Sequence, residues 1–298
     1  MALYLDGILA AHRAAAAQDE RSLGDLVDKA SRLPVTRGFA AALQGGPLAV
    51  ISEIKRRSPS KGDLFPDLVP ADLAATYEGG GASCLSVLTD VEFFGGSVAD
   101  LQAARAACSL PVLRKDFTVD AKDVADARLM GADAVLLIVA ALSDDELRTF
   151  HELAVGLGLD ALVEVHDAAE LDRAAAAGAT LIGVNQRDLA TVTVDRYLAA
   201  KLRPSMPGDA VTVAESGVRD RADAEALAAA GYDAILVGES LVTNADPAAA
   251  LAELRGEWSS SRCVGRPARR MPSSPWPWGP TPSASSSPPR PGRSRPAW

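Results

Sequence analysis

From residue 48 to residue 237 the chain repeats one unit eight times: a short apolar run rich in β-branched residues, a polar turn, then an alanine-rich segment. The runs fall at 48–54, 84–88, 111–114, 134–139, 161–165, 181–184, 211–214 and 234–237. Each is apolar at nearly every position, the pattern of a strand covered on both faces. The segments at 98–107, 120–130, 143–157, 168–177 and 219–230 have helical composition. Thr118, Ser143, Asp167 and Ser216 stand near the expected caps of the last four, where a short side-chain oxygen can accept from the first free N–H groups. Gly131, Gly178 and Gly231 close three of the helices and suit a left-handed terminus. Eight alternating units predict an α/β fold of the closed (β/α)8 TIM-barrel type. An open doubly wound sheet usually has fewer strands, and no GxGxxG turn follows the first strand.

The barrel is expected over 48–258. Residues 1–47 read as an N-terminal helical extension, with helices over 4–17, 23–30 and 37–43, acting as a cap over one barrel end, a wall for substrate, or both. Composition breaks near Trp258. The stretch 259–298 holds ten of the nineteen prolines and seven arginines, with no acidic residue and no apolar period. Such a segment buries too little surface to offset its ordering entropy and is expected to be a disordered C-terminal tail, of the kind a shifted reading frame in GC-rich DNA yields. The other reading is a basic tail for an acidic partner. With its seven charges set aside, the rest of the chain carries −16 out of a total of −9, which disfavours nucleic acid as a partner. The chain shows no apolar run of membrane-spanning length and no basic leader before an apolar stretch, so neither a membrane segment nor a signal peptide is expected. Three cysteines without CxxC spacing argue against disulfides and zinc, and fit the cytoplasm.

In a barrel of this kind the reactive groups sit where the strands end. The first strand ends in Glu53 and Lys55, and the third in Lys115 and Asp116. The fifth ends in Glu164 and His166, the sixth in Asn185 and Arg187, and the seventh in Glu215, Ser216 and Gly217. The eighth ends in Gly238, Glu239 and Ser240. One charge on a wet rim is ordinary, but the same edge repeated in register is not. Alternation sets Glu53 with Lys55 and Glu164 with His166 on common faces, where lysines and carboxylates shift one another's pKa and exchange protons with a substrate. A structural ion pair is the plain alternative for Glu53 and Lys55. His166 reads as a helix-start histidine with its bonds satisfied. The turns at 216–218 and 238–240 each precede a helix and are expected to bind a phosphate through free N–H groups, with Ser58 adding a hydroxyl. The histidines 12, 151 and 166 match no metal-ligand spacing, so no metal is expected.

Seven stretches closely resemble the indole-3-glycerol phosphate synthase family: ISEIKRRSPSKG (51–62), FFGGS (93–97), PVLRKDF (111–117), LVEVH (162–166), GVNQRDL (183–189), AESG (214–217) and VGESL (237–241). The resemblance spans roughly 3–256 and departs only at Gln186, at Val242 and in the tail. It implies a cofactor-free lyase of tryptophan biosynthesis, a decarboxylase that closes an indole ring on 1-(2-carboxyphenylamino)-1-deoxyribulose 5-phosphate. On matching positions, Lys115 resembles the general acid and Glu164 the acid/base of dehydration. Lys55 holds the departing carboxylate, with Glu53 and Glu215 orienting the lysines. Asn185 and Arg187 position the aromatic and hydroxyl parts. Ser58, Ser216, Gly217, Gly238 and the backbone of Glu239 hold the phosphate, while Phe94, Phe117 and Leu137 wall the aromatic ring. Desolvation and mutual repulsion between Lys55 and Lys115 are expected to lower the lysine pKa. The partner implied is a phosphorylated small molecule, with no nucleic acid or membrane, and the chain acts as a monomer or in weak association with other enzymes of the pathway. Two rivals stay open: a barrel like phosphoribosylanthranilate isomerase, whose chemistry wants Cys and Asp at the rim, and a non-catalytic phosphate-binding scaffold.

Overall fold

The computed structural model describes residues 3–58, 61–188, 191 and 193–256. The tail expected over 259–298 lies outside the described residues. Eight parallel strands form the closed barrel: β1 (Ala49–Ile54), β2 (Cys84–Leu88), β3 (Val112–Lys115), β4 (Ala134–Ile138), β5 (Asp160–Val165), β6 (Leu181–Asn185), β7 (Val211–Glu215) and β8 (Ala234–Val237). They pair in chain order, and β8 returns to β1 with Ala49 opposite Ala234. Nearly every strand residue is buried, as expected where side chains fill the barrel on one face and meet helices on the other.

The helices are α1 (Leu3–Ala17), α2 (Leu23–Ala30), α3 (Phe39–Ala42), α4 (Pro70–Gly79), α5 (Val98–Ala107), α6 (Ala121–Met130), α7 (Asp144–Gly156), α8 (Ala168–Ala176), α9 (Leu198–Leu202), α10 (Arg221–Ala229), α11 (Glu239–Val242) and α12 (Pro247–Arg255). Ser143 and Asp167 cap α7 and α8 as expected. Two caps differ. Asp120 rather than Thr118 opens α6, and Asp220 rather than Ser216 opens α10. In both cases an Asp nearer the helix accepts the orphan N–H, and the earlier residue stays in the strand-to-helix loop. Gly131, Gly178 and Gly231 all have positive φ.

The N-terminal helices reach both barrel ends. The segment around α3 meets the end where the strands begin: Arg37 N donates to Asp133 at 2.7 Å and Ala40 N to Asp160 at 2.9 Å. Helix α2 lies along α6. Helix α1 crosses the opposite rim, where Leu5 and Ile8 line the main cavity. The cap and wall readings therefore describe different helices of one extension. No helix among the described residues is long and apolar enough to cross a membrane.

Candidate active site

A cavity of about 480 Å³ opens where the strands end. Glu53, Lys55, Ser58, Phe94, Lys115, Phe117, Glu164, Asn185, Arg187, Glu215, Ser216, Gly217, Gly238 and Glu239 all line it. Leu137 does not. Its strand neighbours Leu136 and Ile138 do, and alternation turns Leu137 to the outer face of β4. A wholly apolar strand gives no sequence sign of which face is which.

The charged groups interlock. Lys115 Nζ donates to Glu164 Oε2 at 2.9 Å and lies 3.7 Å from Glu215 Oε2. Asn185 Nδ2 donates to the other oxygen of Glu164 at 3.0 Å. Lys55 is paired with Glu53. Glu53, Glu164 and Glu215 are buried at 4%, 1% and 2% exposure, so their charges act through little water. Burial alone pushes the Lys115 ammonium down, but Glu164, Glu215 and Glu53 together outweigh it and hold its pKa above the ordinary lysine value. The expected depression is thus reversed at Lys115, because the charges of Glu164, Glu215 and Glu53 outweigh burial. Burial resists ionisation of Glu164, yet Lys115, His166 and Asn185 hold it well below the usual carboxylate range. Glu215 goes the other way: burial and the adjacent Glu164 charge raise it. One carboxylate of the pair stays ionised and the other resists ionisation.

His166 stands just before α8, as expected, with Nδ1 3.0 Å from Glu170, but its bonds are not all satisfied, since the buried Nε2 has no hydrogen-bond partner among the described residues. It also touches the site from behind, with Nε2 3.4 Å from Glu164 Oε1. Burial lowers its pKa, but Glu164 and Glu170 raise it further, to about 10.

Directly after Glu215 the chain turns at Ser216 and Gly217, with φ of 66° and 79°. Helix α10 begins only at Arg221, and the Asp220 side chain already occupies its N-terminus. That turn therefore offers its own N–H groups rather than a helix end. Gly238 directly precedes α11. Ser58 is buried, and its Oγ has no partner among the described residues.

Several lining residues carried no site expectation. Besides Leu5 and Ile8 of α1 they include Asp90, Arg196 and Arg219. His12 of α1 reaches Asp90 at 2.9 Å and Asp116 at 3.9 Å, and its ring lies 5.5 Å from that of Phe117. Helix α1 thereby meets the aromatic wall, since Asp90 also accepts from the N–H groups of Phe93 and Phe94. Contacts between positions 78 residues apart have no local sequence signal.

Residues 5–254 match the model of the family described as indole-3-glycerol phosphate synthase. The chain is 48% identical over 270 residues to a protein of Mycolicibacterium vanbaalenii named indole-3-glycerol phosphate synthase, a match covering 90% of this chain and 99% of that one. A protein of Mycolicibacterium gilvum with the same name matches with the same identity and coverage. Among solved structures, thiamine phosphate pyrophosphorylase from Pyrococcus furiosus is similar with a TM-score of 0.54, over 70% of this chain and 94% of that one. At 19% identity this likeness is one of fold.

Proposed function

The chain belongs to the indole-3-glycerol phosphate synthase family, and from that premise we propose how its rim residues divide the work of ring closure. The substrate is 1-(2-carboxyphenylamino)-1-deoxyribulose 5-phosphate. Its carboxylate-bearing ring carbon attacks the ketone, carbon dioxide leaves that carbon, and water then leaves with a hydrogen from the neighbouring methylene. The product is indole-3-glycerol phosphate, and the activity is that of a carboxy-lyase.

The observation that carries this assignment is the placement of Lys115 Nζ between two buried carboxylates at the cavity floor. Its raised pKa delivers it to the reaction protonated. A developing alkoxide is far more basic than any lysine, so proton transfer from Lys115 to the ketone oxygen is downhill when charge appears there. Glu164, held ionised, is the acid/base of the dehydration. Lys55 meets the substrate carboxylate and shares the proton work, while Glu53 and Glu215 orient the two lysines. Asn185 and Arg187 position the aromatic and hydroxyl parts. Phe94 and Phe117 wall the aromatic ring together with Leu136 and Ile138, which take the place expected of Leu137.

The phosphate sits at the far end, against Ser58, Ser216, Gly217, Gly238 and the Glu239 backbone. Binding energy gained there, away from the bonds that change, holds the reacting carbons together. Residues 1–47 supply a wall through α1, and 48–258 form the catalytic barrel. We place the enzyme in the cytoplasm, as a monomer or in weak association with enzymes of the same pathway. No cysteine among the described residues lines the cavity, which speaks against isomerase chemistry of the Cys/Asp kind. The test is the formation of indole-3-glycerol phosphate with stoichiometric carbon dioxide. A folded chain that binds substrate but releases no carbon dioxide would instead be a scaffold.

A further inference from the structure

Gln186 lies between Asn185 and Arg187 but does not line the main cavity. It is 2% exposed and sits where three pieces of chain meet. Its N–H donates to Glu215 O at 2.9 Å, and its carbonyl accepts from Asp195 N at 2.8 Å. Its side-chain Nε2 donates to Ser216 O at 2.8 Å. Ser216 is the sole non-glycine residue with left-handed backbone among the described residues, and Gly217 continues the same hand. A serine resists that conformation because its Cβ crowds the backbone, so the surroundings must hold it there. No other side chain among the described residues hydrogen-bonds the backbone of Ser216 or Gly217.

Two further observations bear on the role of this amide. Gln186 Oε1 is buried and finds no donor among the described residues. An unpaired buried acceptor is costly, so an apolar residue of equal length would be the more stable choice unless the Nε2 bond were needed. The turn is also closely packed where the amide reaches it: a Cβ built on Gly217 would come 2.8 Å from Val194 Cγ1, 3.2 Å from Arg196 Cγ and 3.5 Å from Gln186 Nε2. Arg196 and Arg219 share one carboxylate, Asp223, at 3.3 and 3.0 Å.

We propose that Gln186 is a positioning residue for phosphate recognition. By gripping the Ser216 carbonyl it holds the Ser216-Gly217 turn in the left-handed shape that presents its N–H groups to the substrate phosphate. Successive N–H groups in such turns form anion-binding concavities. The inference rests on the assignment of the phosphate to this turn.

The experiment compares Gln186→Met, which keeps length but loses the donor, with the wild type, using steady-state kinetics and competition by inorganic phosphate. KM and the phosphate inhibition constant should each rise about tenfold, with kcat within about twofold. Gln186→Leu also removes the donor and should behave alike, which keeps the question answerable if one variant folds poorly. A glycine adopts left-handed backbone unaided, so in a Ser216→Gly background Gln186→Met should raise KM by less than about threefold. The same rise in both backgrounds, or a loss confined to kcat, would overturn the proposal. Gly217→Val reports on the turn itself. If it raises KM and the phosphate constant while Gln186→Met changes neither, the phosphate site stands and the role of Gln186 falls. If neither variant changes them, the phosphate site lies elsewhere and the proposal falls with it.

Discussion

A carboxylate oxygen of Glu215 occupies the space in which residue 183 would carry a Cβ. Gly183 lies on β6, paired with Glu164 on one side and Val213 on the other. The missing side chain lets a second carboxylate sit beside Glu164 in a closed core. Gly183→Ala should push Glu215 aside and strain β6. The expected cost is about 1–3 kcal/mol of stability, with a fall in kcat of more than about tenfold, because Glu215 faces Lys115. Thermal unfolding and turnover check the two effects separately. A variant with normal kcat would show that the position of Glu215 does not matter to the chemistry.

Lys115→Ala removes the proposed proton donor and leaves Glu164 and Glu215 without the cation between them. Turnover should fall about 10²–10⁴-fold with a much smaller change in KM. Near-normal turnover would refute the assignment of Lys115 as general acid.

Legibility followed locality. The strands could be read because burial on both faces leaves continuous apolar runs, and the rim residues because each sits directly at a strand end. Leu136 and Leu137 could not be told apart, since both are apolar in an apolar strand. Asp120 and Asp220 lost to Thr118 and Ser216 as expected caps because a few residues of loop separate strand from helix and leave several polar candidates. The sign of the Lys115 shift depends on how many carboxylates face it in space. Its sequence neighbours show only Arg114 and Asp116, whereas Glu164 and Glu215 arrive from β5 and β7. The grip of Gln186 on Ser216 likewise joins residues 30 apart.

Gly238 gives room to the Glu53 side chain, which a Cβ at 238 would meet at its carboxylate and again 3.2 Å from its own Cβ. Gly238→Val should therefore do more than obstruct the phosphate. Both a higher KM and a lower kcat are expected, because Glu53 would be displaced from Lys55. Inorganic phosphate at tens of millimolar, with ionic strength held near ~0.1 M, should compete with substrate in the wild type. A variant with altered KM and unchanged kcat would separate Glu53 from catalysis.

Helix α1 is latched by a pair whose strength depends on pH. The hydrogen bond that the His12 ring donates to Asp90 outweighs burial and raises the pKa of His12, with Asp116 adding to it. Burial raises Asp90, but His12 and the N–H groups of Phe93 and Phe94 bring it below its usual value. The contribution of His12 is complete below about pH 6.5 and is lost as pH rises through its folded pKa. That of Asp90 is complete above about pH 4 and is lost as pH falls through its folded pKa. The latch is strongest between those limits. His12→Ala should lower Tm by about 2 °C near pH 5.5 and by less near pH 9. Equal differences at both pH values would contradict the linkage.

Helix α12 closes the barrel wall on the side of α4 and α10. Asp246 accepts from Ala249 N at 3.0 Å, Pro247 starts the helix, and Leu251 and Leu254 are buried. Its backbone comes so close to the end of α4 that a Cβ on Gly80 would lie 3.1 Å from Ala248 Cα. Leu251→Ala should cost about 2–5 kcal/mol, since little can collapse into the space it leaves. The chain beyond α12 should matter far less. Every described residue lining the cavity lies at or before Ser240, and the buried leucines of α12 end at Leu254. A chain ending at Trp258 loses seven arginines and ten prolines and no acidic group. Its kcat/KM should stay within about twofold and its Tm within about 4 °C of the full chain, measured side by side. A larger drop in Tm would mean that part of 259–298 covers apolar surface of the barrel. In that event Leu251→Ala and the truncation should be non-additive, as expected of neighbours that share a contact.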